Sequence, residues 1–191
     1  MARLGAACFI ISPGSRSTPL ALAAARCPGI QAFSHFDERG SAYVALGWAK
    51  ATGRPAVLIC TSGTAGANYY PAVIEASMSR IPLIVITADR PPELLQCGAN
   101  QAIDQNRLFG SHVRAFATIP CPEEGYPVSA LDTTMDHLFH QSLYPTPGPI
   151  HLNSHFREPL APADPLPPFP EYPSPPATCR STGRRPTPCT R

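Results

Sequence analysis

The sequence predicts an α/β domain of three layers, in which helices cover both faces of a six-stranded, mainly parallel sheet. Two observations carry this expectation. Apolar runs of four to eight residues alternate with segments of helical period, and polar or glycine- and proline-containing turns separate them. At 191 residues the chain is also long enough for one sizeable α/β core.

The strands are expected at Cys8–Ser12, Gln31–Phe36, Ala56–Cys60, Leu83–Thr87, Ala115–Ile119 and Pro149–Leu152. Helices fit between them at Pro19–Arg26, Glu38–Ala51, Ala65–Ser79 and Ala130–Tyr144. Thr18 followed by Pro19 reads as an N-cap and first helical position, Asp37 suits an N-cap for the second helix, and Gly53 suits its end. Residues 88–113 are a long polar connection with one short helical stretch near Arg107–Gly110, and a loop of that length between core strands is more often functional than idle. This succession of strand, helix and parallel return is Rossmann-like, and it assigns residues 1–160 to one domain.

From 161 to 191 the composition changes, with ten prolines among thirty-one residues and no apolar periodicity. Such a segment buries too little surface to offset its ordering entropy, so it reads as a disordered, Pro-rich tail. The formal charge of +2 belongs to that tail: basic and acidic side chains balance at eleven each over residues 1–160. A neutral domain without a basic stripe offers no footprint for nucleic acid, and no apolar run is long enough to span a membrane. The opening MARLGAACFIIS has no convincing leader cleavage site. Seven scattered cysteines without a CxxC pair suggest small buried hydrophobes in a reducing compartment.

Four segments fall where strands give way to helices or loops, at the sheet edge where ligands of parallel α/β folds bind. Ser12-Pro13-Gly14-Ser15-Arg16-Ser17-Thr18 offers hydroxyls and a guanidinium fork, or else simply a capped turn. It has neither a Walker nor a GxGxxG pattern, which disfavours ordinary nucleotide binding. In His35-Phe36-Asp37-Glu38-Arg39-Gly40 the carboxyl of Glu38 is either aimed at a ligand or merely placed to favour the helix dipole. Thr61-Ser62-Gly63-Thr64-Ala65-Gly66-Ala67-Asn68 lets a flat ligand approach backbone N–H groups, and equally suits tight helix packing. Thr87-Ala88-Asp89-Arg90-Pro91-Pro92-Glu93-Leu94, continuing through Asn100 and Gln101, carries a second strand-end arginine. Arg90 either pairs with Asp89 or Glu93 or joins Arg16 in holding a doubly carboxylated substrate. His137 and His140, three apart, have no evident carboxylate or thiolate partner for a metal and read as a peripheral helix face.

The wording, order and spacing of ISPGSRSTPLALAAA, HFDERGSAYVALGWAKATGRPAVLICTSGTAGANYYPAVIEA, LIVITADRPPELLQCGANQAI and GPIHLNSHFREPL resemble the amino-terminal, pyrimidine-binding domain of one thiamine-diphosphate enzyme family. That family is the 2-succinyl-5-enolpyruvyl-6-hydroxy-3-cyclohexene-1-carboxylate synthases. The resemblance runs from about Cys8 to Pro162, and TADRPPEL followed by GANQ is its most specific part. It implies a cofactor, thiamine diphosphate, whose aminopyrimidine N1′ is hydrogen-bonded by Glu38 as the catalytic carboxyl, with Pro13 and Thr64 beside the ring. It implies substrate binding by Ser15, Arg16, Arg90, Asn100 and Gln101. The implied reaction decarboxylates 2-oxoglutarate and adds the remaining four-carbon unit to isochorismate, in cytoplasmic or, in plants, plastid quinone biosynthesis.

Where the family continues into a middle domain and a diphosphate-binding domain with ligands for Mg2+, this sequence has the Pro-rich segment, and the family's helix before the first strand is missing. LNSH stands where the family usually has a Cys-Pro-like pair before FREP. The expectation is therefore a half-site, completed by the diphosphate-binding domain of another chain or of a homo-oligomer and inactive alone. The alternative is a non-catalytic binding or interaction module derived from this domain.

Overall fold

The structure, a computed structural model, describes residues 1–161. The tail expected from residue 161 onward lies outside the described residues from Pro162 on. Six strands form one sheet: β1 (Cys8–Ile11), β2 (Gln31–Ser34), β3 (Ala56–Cys60), β4 (Leu83–Asp89), β5 (Ala115–Ile119) and β6 (Ile150–His155). Every pairing is parallel, in the order β2-β1-β3-β4-β6-β5. The helices are α1 (Thr18–Arg26), α2 (Glu38–Thr52), α3 (Thr64–Asn68), α4 (Tyr70–Ser79) and α5 (Val128–Leu143).

The period of two along the strands divides the core into two layers. Cys8, Ile10, Ala56, Leu58, Cys60, Leu83 and Val85 face one side and pack with Ala42, Ala45 and Ala49 of α2 and with Ala72, Val73 and Ala76 of α4. Phe9, Val57, Ile59, Ile84, Ile86, Ile150 and Leu152 face the other and pack with Ala24 of α1 and with Leu138 and Phe139 of α5. Alanines at the α2 contact let the helix lie close to the sheet, while branched residues on the strands fill the space between. A parallel sheet covered on both faces explains why β3 and β4 read as continuous apolar runs.

Several predicted boundaries move for identifiable reasons. The helix expected over 65–79 is two helices, because the pair Tyr70-Pro71 starts a new one and proline at its first turn has no N–H to continue the old. The N-cap of α1 is Ser17 rather than Thr18, and its hydroxyl does not cap the helix but donates to Gly14 O at 2.9 Å. Asp37 does cap α2, accepting from Gly40 N at 2.9 Å, and Gly53 closes that helix in the left-handed region at φ 69°. β4 and β6 each extend past their predicted ends, to Asp89 and His155. Polar side chains occupy those extensions, and a hydropathy pattern cannot see that the sheet buries them. The short helical stretch of the long connection is a 3-10 turn over Gly110–His112, and further turns lie at Ala2–Leu4, Ser15–Ser17 and Pro92–Leu94.

Of the seven cysteines, Cys8, Cys60 and Cys121 are buried, whereas Cys97 is exposed. Among the described residues no helix is long and apolar enough to cross a membrane.

Candidate functional site

The chain order of the sheet reverses at β1 and β3. β1 leads into α1 on one face, and its neighbour β3 leads into α3 and α4 on the other. The two loops part above the strands' carboxyl ends and leave a crevice, the general position for ligands in open α/β sheets. Here it is a pocket of about 510 Å³. It gathers all eight residues singled out from the sequence: Pro13, Ser15, Arg16, Glu38, Thr64, Arg90, Asn100 and Gln101. Thr61, Ser62 and Asn68 of the third segment also line it, as does Glu158, which the sequence did not single out. Another depression of similar volume, between β5 and α5, is lined by no carboxylate or guanidinium.

Backbone proximity sets the pocket's floor. A Cβ on Gly14 would stand 2.3 Å from Thr61 Cβ, so only glycine lets the β1 and β3 loops touch. Gly63 adopts φ +80°, and a Cβ there would meet Gln101 Cγ at 2.8 Å. Gly14 thus brings the first and third sequence segments together and Gly63 the third and fourth, and Gln101 Nε2 donates to Ser62 O at 3.0 Å.

Glu38 opens α2 directly after its cap. Its side chain is half-buried, and among the described residues its carboxylate accepts no hydrogen bond. Beneath it runs a chain of buried hydroxyls. Ser41 Oγ donates to Glu38 O at 2.7 Å and lies 3.1 Å from Ser12 Oγ, which in turn lies 3.3 Å from the hydroxyl of Tyr69. Tyr69 is fully buried at the junction of α3 and α4, with Ile59 O 3.0 Å from its hydroxyl. Burial pushes the ionisation of both Tyr69 and the neighbouring Cys60 thiol upward, so both stay neutral. The first turn of α2 thus rests on groups that do not change charge. A carboxylate held this way and left without a donor fits a ligand that brings an N–H or a protonated ring nitrogen.

Arg16 and Arg90 approach from two different strand ends. Arg16 is buried; Nη1 donates to Phe156 O at 2.9 Å, Nη2 faces Glu158 Oε1 at 3.3 Å, and Nε is buried without a partner. Arg90 donates from Nη1 to Ser62 Oγ, and its carbonyl meets His155 Nδ1. The pairing anticipated for Arg90 is corrected: only its backbone N–H meets Asp89, and Glu93 is held by Arg157 through contacts of 2.5 and 3.1 Å. Burial, together with the nearby Arg16 guanidinium, lowers the Arg90 pKa from its ordinary value, with Asp89 and Glu158 opposing.

Gln105 is the largest omission from the sequence reading. It is buried, and its Oε1 accepts from Gly63 N at 2.7 Å. Its Nε2 donates to Ala88 O at 3.1 Å and Asn153 Oδ1 at 2.8 Å. Asn153 also accepts from Thr87 Oγ1 at 2.9 Å and donates to Asp89 Oδ2 at 2.7 Å. The loop after β4 is thereby tied to β3, β4 and β6 at once. A single glutamine in a polar loop gives no signal in the sequence that it will be buried. His137, expected on a peripheral face, shares a hydrogen bond of 2.7 Å with Gln141 on the exposed side of α5.

Residues 1–108 match the family described as thiamine pyrophosphate enzyme, N-terminal TPP binding domain. Curated proteins named 2-succinyl-5-enolpyruvyl-6-hydroxy-3-cyclohexene-1-carboxylate synthase are similar over most of this chain. That of Chlorobium phaeobacteroides (strain BS1) is 56% identical over 156 residues, which are 82% of this chain and 27% of the relative. That of Nostoc sp. (strain PCC 7120 / SAG 25.82 / UTEX 2576) is 55% identical over 162 residues, 84% of this chain and 28% of the relative. The synthase of Haloarcula marismortui (strain ATCC 43049 / DSM 3752 / JCM 8966 / VKM B-1809) is 55% identical over 153 residues, covering 80% and 26%. The chain spans about a quarter of the length of these relatives. With the match covering more than half of its residues, and with the pocket at the sheet's switch point, the chain belongs to the thiamine pyrophosphate enzymes and carries their N-terminal TPP binding domain.

Proposed function

We propose that this domain supplies the pyrimidine half of a thiamine-diphosphate site and the carboxylate-binding half of a substrate site. The activity would be that named for its relatives, 2-succinyl-5-enolpyruvyl-6-hydroxy-3-cyclohexene-1-carboxylate synthase. The substrates are 2-oxoglutarate and isochorismate, in cytoplasmic menaquinone biosynthesis. The observation that carries the reading is one pocket holding a carboxylate without a donor, Glu38, and two guanidiniums from separate strands, Arg16 and Arg90.

Thiamine diphosphate, when bound, supplies the carbon nucleophile that a 2-oxoacid needs in order to lose carbon dioxide. Glu38 holds a proton at the aminopyrimidine, and the neutral hydroxyl chain from Tyr69 keeps its helix turn in place. Pro13 and Thr64 border the ring. Arg16 and Arg90 bind carboxylates without losing charge, and both substrates are dicarboxylates. Ser15, Asn100 and Gln101 add hydroxyl and amide groups at the pocket mouth, all three exposed.

The diphosphate and its Mg2+ belong to a separate diphosphate-binding domain on another chain. What supports a docked partner is the apolar surface around the start of α2, where Phe36 is 87% exposed and Phe33, Tyr43 and Val44 are also exposed.

Co-expression with the middle and diphosphate-binding regions of the Chlorobium relative tests this directly, with carbon dioxide release from 2-oxoglutarate as the readout. Release should need both parts and should fall by at least about 100-fold in Glu38→Gln, the range for losing one acid–base group. Undiminished release from the Glu38→Gln pair would remove the assignment. Pairing of the two parts without release from either would leave the domain a binding module.

A further inference from the structure

The two charged residues that follow β6, Arg157 and Glu158, make ion pairs of opposite kind. Arg157 grips Glu93 through Nε and Nη2, at 2.5 and 3.1 Å, with both side chains about half exposed. Glu158 makes a single contact of 3.3 Å with Arg16, and the two ends of that contact are unlike: the Arg16 side chain is 9% exposed and that of Glu158 is 74% exposed. Arg16 does not need Glu158 to stay in place, since Phe156 O already accepts from its Nη1 at 2.9 Å. The carboxylate is a loose, solvent-facing partner on a fixed, buried guanidinium whose Nε still lacks an acceptor.

Glu158 also lies in the lining of the pocket, with Arg16, Arg90 and Glu38. With Glu158 present, the lining's two guanidiniums and two carboxylates balance. When Glu158 turns outward, one positive charge is left over. A single contact whose carboxylate end stands in solvent contributes little, so an entering carboxylate can displace it. The guanidinium cannot lose its own charge and must have an anion or water in the meantime.

We infer that Glu158 is a competing carboxylate: it occupies Arg16 in the free domain, is displaced when a dicarboxylate enters, and thereby sets the affinity of the pocket for dianions. This rests on the reading of Arg16 and Arg90 as a dicarboxylate site. It adds a residue whose removal should improve binding, an outcome that damage to the fold would not produce.

The test is calorimetric titration of 2-oxoglutarate, at low ionic strength, into the 191-residue chain and its Glu158→Gln, Glu158→Ala and Arg16→Ala variants. Both Glu158 variants should bind about two- to five-fold more tightly than the parent, the range expected for a weak ion pair with one end in solvent. Arg16→Ala should bind at least about ten-fold more weakly, as expected when a charged hydrogen-bond partner is lost. If the parent binds and both Glu158 variants bind equally or more weakly, the competing role is overturned and the dicarboxylate reading stands. If neither the parent nor the Glu158 variants take up the probe, the dicarboxylate reading falls, and this inference with it.

Discussion

The two walls of the pocket are built differently. The Arg90 wall is sealed: every residue of β4 and β6 is buried, and Gln105, Asn153, Asp89 and Thr87 satisfy one another inside it. The Glu38 wall is open, with every residue of β2 exposed and Phe36 standing 87% in solvent ahead of α2. The four side chains inside the first wall are structural because nothing but protein can reach them, whereas Arg90 itself lines the pocket. Polar groups in the second wall are left for something outside the domain. Substitutions should therefore cost stability on the sealed side and association or chemistry on the open side.

The largest loss is expected at Gln105. Gln105→Leu removes the acceptor for Gly63 N and the donor for Ala88 O and Asn153 Oδ1, leaving buried polar groups unpaired. At about 1–3 kcal/mol for each buried group left unsatisfied, with partial relaxation, the variant should lose about 2–4 kcal/mol. Urea unfolding will show this as a lower midpoint at unchanged slope. A midpoint within error of the parent would mean that water replaces the side chain and that this wall is not sealed.

The sealed wall should also weaken in acid, by a smaller amount at pH 5. His151 is fully buried on β6, edge-on to Phe109 and 2.9 Å from Thr87 Oγ1, and burial pushes its pKa down to about 3. Because the folded value lies below the unfolded one, near 6.5, the unfolded chain takes up the proton first. The stabilising contribution is complete above pH 6.5 and is lost as pH falls from there towards 3. Unfolding free energy should drop by roughly 1.4 kcal/mol per pH unit in that window, about 2 kcal/mol by pH 5. In His151→Phe this part of the slope should disappear. A variant with the same acid profile as the parent would assign the sensitivity to another group.

The same contrast explains what could be read from the sequence. Strands β3 and β5 fall at their predicted bounds, and all eight pocket residues sit together, because apolar runs and strand-end motifs record burial and topology directly. The sealed wall was not legible. Asp89, Asn153 and His155 lie beyond the apolar runs, so a hydropathy pattern ends β4 and β6 early. Their burial depends on partners such as Gln105 that lie far along the chain. Glu158 was missed for a related reason: it meets Arg16 across 142 positions, a distance over which no local pattern operates.

The smallest effect on folding is expected on the open wall, and there the comparison is sharpest. Phe36 precedes the Asp37 cap and is 87% exposed, so it contributes little to the domain's own core. Phe36→Ser should change unfolding free energy by no more than about 0.5 kcal/mol, the usual span for surface sites. If the apolar surface beside Glu38 is where a diphosphate-binding domain docks, the same substitution should weaken pairing with the Chlorobium regions several-fold, because a large exposed aromatic is a typical anchor of such contacts. Pull-down at graded concentrations separates the two quantities. Unchanged stability with weakened pairing would mark the open wall as an interface; weakened stability with unchanged pairing would place Phe36 in the fold instead and return the docking surface to some other face.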